Sequence, residues 1–281
     1  MITTKNRVAD LRRTCKVLKG LSPTPFEILI TADGCTDDTV DVVRGEIPSA
    51  RLIINENGRG SVASRDRMMR EAVGDLVLAL DDDSYPEQVD CLAHFANLFD
   101  ENPKLAVAHF PQRTDEYPES LSQSDFGSAR PTGSFANSGA VLRRSIYVQL
   151  SGFEPTFFHM YEEPDYALQC IAAGFEVVFT PVVTIRHHFS GATRDEIRNH
   201  HRHSRNELRS VLLRCPFPQL LGLALYRIGS QFWYACKRGT KWVVLEPVWW
   251  WQAMGGVLDC AKRRRSIPWL RYRAWLKLQK Y

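Results

Sequence analysis

Apolar positions along this 281-residue chain switch between two periods. Val8, Leu11, Cys15 and Leu18 recur at helical spacing, and Gly20 and Pro23 close the segment, so a helix is expected over residues 8–18. Short apolar and β-branched runs at 26–30, 51–54, 75–80 and 105–110 read as strands, with helical patterns between them at 37–44, 62–72 and 86–99. Such alternation predicts right-handed βαβ units, and hence an α/β fold whose mostly parallel sheet carries helices on both faces. Residues 111–135 have no clear period and are rich in polar and turn residues, which suits a functional loop. Regular structure is expected to resume at 138–142, and strands again at 176–179 and 182–185, with a helix between the acidic segment 161–165 and Ala173.

After residue 190 the pattern changes. Residues 194–213 read as a basic helix stopped by Pro216 and Pro218, followed by aromatic-aliphatic stretches interleaved with Lys and Arg. Charge divides at the same place: residues 1–190 hold 18 Lys/Arg against 27 Asp/Glu, whereas 191–281 hold 18 against 5. An acidic body suits a bound cation, and a basic, Trp-rich helical extension over 191–281 suits an anionic surface. The seven cysteines are odd in number and form no C-x-x-C pair, which points to reduced thiols and a cytoplasmic setting. No apolar leader is visible in Met1-Ile2-Thr3-Thr4-Lys5. Residues 220–226 and 242–258 are too short, or too interrupted by Glu246 and Pro247, for a spanning helix, so a soluble or peripheral protein is expected.

The strand at 76–80 ends in Asp81-Asp82-Asp83. In open α/β sheets ligands sit beyond the carboxyl ends of the strands, and adjacent acids repel unless a cation lies among them. Hard oxygen ligands favour Mg²⁺, Mn²⁺ or Ca²⁺. The plainer alternative is a solvated turn capping the next helix. A second acidic group, Glu162-Glu163-Pro164-Asp165, stands where acids also simply favour a helix N-terminus.

Taken in order, the motifs resemble the bacterial-type family 2 glycosyltransferases, inverting enzymes of the GT-A fold, over roughly residues 2–215. The resemblance rests on Thr3-Thr4-Lys5-Asn6-Arg7, on Asp33-Gly34-Cys35-Thr36-Asp37-Asp38-Thr39 after a strand, on Leu80-Asp81-Asp82-Asp83, on Glu162-Glu163-Pro164-Asp165 followed by Gly174, and on Arg205-Asn206. It implies a GT-A (Rossmann-like) catalytic domain over 1–190, with a nucleotide-sugar half at about 1–110 and an acceptor half at about 111–190. It further implies transfer of a sugar from a nucleotide-diphosphate donor to an acceptor hydroxyl of a carbohydrate or lipid-linked molecule, assisted by Mg²⁺ or Mn²⁺.

The roles implied are specific. Glu163 takes the position of the family's base, with Glu162 and Asp165 orienting it or raising its pKa. Asp83 is the expected metal ligand with Asp81 and His187, the alternative for His187-His188 being a partly buried pair bonded to backbone. Thr3, Lys5, Asp33, Arg65, Asp81 and Asp82 are expected at the donor, where Arg65 is alternatively an exposed helix charge. Gly58 and Gly60 are most simply turn glycines.

This sequence departs from the family in two places. Ala32 stands where an acid usually precedes Asp33. Only Met1 and Ile2 precede Thr3, so either the first strand pairs briefly and the nucleotide pocket is looser, or the natural start lies upstream.

Rival functions are a metal-dependent nucleotidyltransferase and a non-catalytic carbohydrate- or membrane-binding relative. His200, His201 and His203 with Arg198, Arg202 and Arg205 surround their helix rather than line one face, so a solvated basic face is expected rather than zinc or nucleic acid. Trp249-Trp250-Trp251 with the cluster at 262–265 suits peripheral contact with anionic lipid on the inner face of the cell membrane, against the alternative that these helices pack back on the catalytic domain.

Overall fold

The structure is a computed structural model and describes residues 1–188 and 195–279. The first half alternates strands and helices: β1 (Ile2–Thr4), α1 (Val8–Leu18), β2 (Leu29–Asp33), α2 (Thr39–Glu46), β3 (Arg51–Asn55), α3 (Ser61–Glu71), β4 (Leu76–Asp81), β5 (Ser84–Pro86), α4 (Cys91–Glu101) and β6 (Leu105–His109). There follow β7 (Gln112–Thr114), β8 (Arg130–Pro131), β9 (Ala140–Arg143), α5 (Arg144–Gln149), α6 (Glu162–Ala173), β10 (Glu176–Phe179) and β11 (Ile185–His187). The remainder is helical: α7 (Glu196–Arg214), α8 (Gln219–Arg238), α9 (Thr240–Met254), α10 (Val257–Arg263) and α11 (Trp269–Leu278). The expected start of the basic helix at Arg194 lies outside the described residues.

Eight strands form one sheet in the order β3-β2-β1-β4-β9-β6-β10-β8, parallel from β3 to β4 and between β6 and β10. β9 runs antiparallel to both β4 and β6. That reversal makes the sheet mixed rather than continuously wound. Leu11, Val43, Phe95 and Phe99 bury one face; Met68, Met69, Tyr147 and Tyr166 bury the other, as two helical layers require.

β1 is short but central, pairing Ile2 with Ile30 and Leu80. The Met1 ammonium donates to the Leu78 carbonyl at 2.7 Å, and burial lowers its pKa to about 5. An apolar cavity of about 230 Å³ lies beneath, bounded by Met1, Phe26, Ile28, Leu76 and Leu78 among others. β2 is displaced from the expected 26–30 because its ladder with β1 runs to Ala32 and that with β3 to Asp33, while Phe26 is 87% exposed.

A small second sheet, β5-β11-β7, positions chemistry. Pro86, expected to open a helix, instead ends the edge strand Ser84–Pro86, which pairs Ser84 with His187. The loop 111–135 is partly ordered by β7, β8 and a 3₁₀ turn at Pro118–Ser122.

The appended helices pack on α6. Leu168 and Ala172 of α6 share a core with Val211, Leu220, Tyr272 and Trp275, and the Trp275 indole donates to the Gly133 carbonyl at 2.8 Å. Asp165 is wholly buried there, accepting from Arg214, Ser210 and Gln169. The expected solvated basic face on α7 is not observed: His200 and His201 are both buried, because α8, α9 and α10 cover this helix.

Candidate active site

The carboxyl ends of β1 and β4, together with the start of α6, open into one cleft of about 770 Å³. Thr3, Lys5 and Arg7 reach it from the exit of β1, Asp81 and Asp82 from β4, and Glu162 and Glu163 from α6. The two acidic groups, 80 positions apart in sequence, therefore face one space.

Arg65 joins them. Its guanidinium is 5% exposed, pairs with Asp81, and donates to Glu162 Oε1 at 3.0 Å. Burial opposes its charge, but Asp81, Glu162 and Glu163 hold its pKa above the ordinary value. The exposed-charge alternative for Arg65 is thereby removed.

Asp81, Asp83 and His187 bring one donor atom each to within 4.8 Å of one another. His187 Nε2 stands 3.2 Å from Asp83 Oδ1 and 4.0 Å from Asp81 Oδ2, while its Nδ1 is 3.1 Å from Gln112 Oε1. An acceptor on Nδ1 leaves Nε2 for a cation when the Nδ1 proton is retained. Two carboxylates and an imidazole are a donor set suited to Mn²⁺ or Mg²⁺, so these residues fit such an ion. Asp82 turns the other way, 3.0 Å from Arg7 Nη1; burial raises its pKa to about 7 against the pull of Arg7. Arg7, itself in the cleft lining, also bonds Asp83 Oδ2 at 2.6 Å and so braces the triplet.

Glu163, in the first turn of α6, lines the cleft. Burial first, then the charge of Glu162, raise its pKa to about 8, with Arg65 and backbone N–H groups acting against them. Glu162 Oε1 also accepts from Asn137 Nδ2 at 3.3 Å. Glu162 Oε2 and Asn137 Oδ1 are buried without a protein hydrogen bond, leaving acceptors at the cleft for a ligand hydroxyl.

The turn before Glu162 is strained. Phe158, Met160 and Tyr161 all have φ near +70°, unusual for side chains of that size. Asn206 Nδ2 donates to the carbonyls of Phe157, His159 and Met160 at 3.0, 2.9 and 2.8 Å, and Arg205 adds a bond of 2.9 Å to Phe157. The Arg205-Asn206 pair therefore pins this turn. Gly60 fits against it only because it lacks a side chain: a Cβ would stand 2.2 Å from the Phe158 carbonyl oxygen, and its φ is +89°.

Two expected residues are placed differently. Asp165, expected beside Glu163 in catalysis, is absent from the cleft lining and tied to Arg214, so it acts on packing. Asp33, expected to read the donor base, lines the cleft but accepts from Asn55, Arg59 N–H, Ser64 and Gly60 N–H. Three of these bonds go to Oδ1 and one to Oδ2, so Asp33 shapes the glycine loop while its Oδ2 keeps an acceptor position at the cleft. Gly60 is accordingly more than a turn glycine. Asn137 and Asn206 are functional neighbours that residue patterns alone do not single out, apart from the Arg205-Asn206 dipeptide.

The model of the family described as "Glycosyl transferase family 2" matches residues 1–163, more than half the chain. The chain belongs to glycosyl transferase family 2. Its enzymatic class is glycosyltransferase, and the nucleotidyltransferase alternative falls away. Among curated relatives, this family 2 chain is 26% identical over 204 residues to an uncharacterized glycosyltransferase, YwdF, of Bacillus subtilis, covering 68% of this chain and 74% of that one. Its fold matches the mannosyltransferase PcManGT of Pyrobaculum calidifontis, solved with GDP-Man and Mn²⁺, at a TM-score of 0.59 and 18% identity, over 99% of this chain and 82% of that one. It also matches GalNAc-T7, solved with UDP, GalNAc and Mn²⁺, at 0.61 and 13% identity, over 77% of this chain. This family 2 chain spans only 47% of the GalNAc-T7 chain. These neighbours establish the GT-A fold with its helical C-terminal part.

Proposed function

We propose that the protein transfers a sugar from a nucleotide-diphosphate donor to an acceptor hydroxyl with inversion, residues 1–190 forming the catalytic domain and 191–281 its helical extension. The observation that carries this reading is the single cleft in which Arg65 links Asp81 to Glu162, next to Glu163.

Asp81, Asp83 and His187 would hold Mg²⁺ or Mn²⁺, which when bound supplies Lewis-acid charge compensation for the diphosphate. The two neighbours solved with Mn²⁺ and nucleotide ligands support that assignment. Lys5 and Thr3 lie where the donor would sit, and Arg65 bridges Asp81 and Glu162. Asp82 supports this edge through Arg7. Glu163, ionised, takes the proton of the acceptor hydroxyl as its oxygen attacks the anomeric carbon opposite the leaving group. Glu162 keeps the pKa of Glu163 high enough for that transfer. Screening nucleotide sugars for hydrolysis, with Glu163→Gln as control, tests the proposal: turnover unchanged in the variant removes Glu163 from the reaction.

The extension favours peripheral membrane association at the cytoplasmic face. No described helix is long and apolar enough to cross a membrane. Leu221, Leu225 and Trp233 on α8 and Val244, Val248 and Trp251 on α9 are exposed, with Lys237 and Lys241 between them. Such stripes suit an anionic lipid surface. The contributors differ from those expected, since Trp249 is buried, Arg263 and Arg265 bond back to the body, and Arg264 bonds carbonyls at the end of α7. Flotation with anionic liposomes decides it, salt-sensitive association being the expected result. A lipid-linked or carbohydrate acceptor accords with either location of the protein.

A further inference from the structure

The cleft does not end at Glu163. Met160, Asn199 and His203 border both the catalytic cleft and a second cavity of about 500 Å³, built by α7, α8 and α9. That volume lies within the range of small-molecule sites, roughly 300–1,000 Å³. None of the reaction roles assigned above uses it.

Its floor is an aromatic cluster. The Tyr234 and His200 rings are stacked, with centroids 5.3 Å apart, and Trp242 lies 5.4 Å from His200 and 6.0 Å from Tyr234. The cluster is fixed from behind by a buried carboxylate: Glu246, 0% exposed, lies 2.6 Å from His200 Nε2 and accepts from the Trp249 indole at 2.8 Å. A carboxylate placed in a core without such a purpose is costly, so the arrangement reads as preorganisation of the ring surface.

Polar groups ring this surface. Asn199 and Gln231 bring planar amides, the latter also donating to Glu207, and Arg238 lies over the Tyr234 and Trp242 rings, 5.1 and 5.5 Å from their centroids, donating to Tyr234 Oη at 2.8 Å and standing 3.5 Å from the Glu196 carboxylate. Glu116 and Glu196 outnumber this one guanidinium in the lining, so the rim does not attract a phosphate. A lipid chain would find too many polar groups. Aromatic rings crossed by a guanidinium and bordered by amides and carboxylates match a polyhydroxylated ring, whose hydroxyls bond the charged and amide groups while its C–H edges meet the rings.

We propose that this cavity binds the carbohydrate portion of the acceptor, with a sugar ring against Trp242 and Tyr234 and the attacking hydroxyl extended past Met160 toward Glu163. The direction of that extension rests on the glycosyl-transfer reading; binding of a sugar in the cavity does not.

The test is saturation-transfer NMR on the full chain with cellobiose, lactose, α-1,2-mannobiose and N,N′-diacetylchitobiose as probes, alongside nucleotide-sugar hydrolysis. At least one disaccharide receives saturation on its ring protons. The signal falls about fivefold or more in Trp242→Ala and is kept in Glu163→Gln. Gln231→Ala, at the rim, weakens it as well and serves if Trp242→Ala fails to fold by circular dichroism. Transfer to none of the probes, or transfer indifferent to both substitutions, overturns the proposal. Sugar binding that depends on Trp242 without any nucleotide-sugar turnover leaves the subsite standing and removes the catalytic reading; turnover without such binding does the reverse.

Discussion

Arg214 of α7 grips Asp165 of α6 through two bonds of 3.2 and 3.0 Å, and both side chains are at most 4% exposed. The pair fastens the appended helices to the helix that carries Glu163. Breaking one member of a buried pair leaves the other charge uncompensated, at a cost of about 3–5 kcal/mol. Asp165→Ala and Arg214→Met should each lower the denaturation midpoint accordingly, whereas the double variant should lose less than the sum. Donor affinity measured below the transition should stay near that of the unmodified protein.

Glu163→Gln keeps shape and removes the base. Turnover should fall by roughly 10²–10⁴-fold, the usual worth of a positioned general base. Donor binding followed by calorimetry should change little, because the donor's charged groups meet other residues.

The pKa of Glu163, about 8 against an ordinary 4.5, sets two pH responses of opposite direction. Turnover should rise through an inflection near pH 8 as the carboxylate forms. Between pH 4.5 and 8 the folded state holds this proton more tightly than the unfolded chain, so the stability contribution is complete below 4.5 and lost as pH climbs through 8. In Glu163→Gln that alkaline loss should be smaller, as thermal melts at pH 6 and pH 9 would read.

Metal dependence should track the triad. Chelation should abolish turnover, and His187→Ala should weaken Mn²⁺ binding by about tenfold or more in a titration followed by electron paramagnetic resonance. Asp82→Asn, which alters an acid turned toward Arg7, should leave Mn²⁺ affinity within about threefold of the starting value. Equal losses in both variants would contradict the ligand set.

Asn206→Ala removes three hydrogen bonds from a turn with three left-handed non-glycine residues. A lower kcat with donor KM nearly unchanged is expected, with partial recovery in Asn206→Gln. Loss of stability without a kcat effect would make the residue purely structural.

Much of this is legible in the chain because local patterns encode it. Val8, Leu11, Cys15 and Leu18 specify α1 to the residue, and Asp81 and Asp83 follow their strand as a sheet edge requires. What pattern cannot encode is pairing between distant segments. Ser84-Tyr85-Pro86 is a strand only because β11 lies beside it, and that pairing brings His187 to Asp83. Asp165 looks equivalent to Glu163 in sequence; one faces the cleft and the other Arg214, because two positions along a helix rotate a side chain by about 200°, to the opposite face. The aromatic floor of the second cavity is likewise assembled from three helices with no shared motif.

The pinning of residues 157–160 by Asn206 limits how this enzyme can be re-engineered. Swapping in the tail of another transferase, to redirect it to a new acceptor, would also withdraw the amide that shapes the turn beside the base. Modularity here stops at α7: a working chimera must cross over after Arg214, carrying that helix along with the sheet.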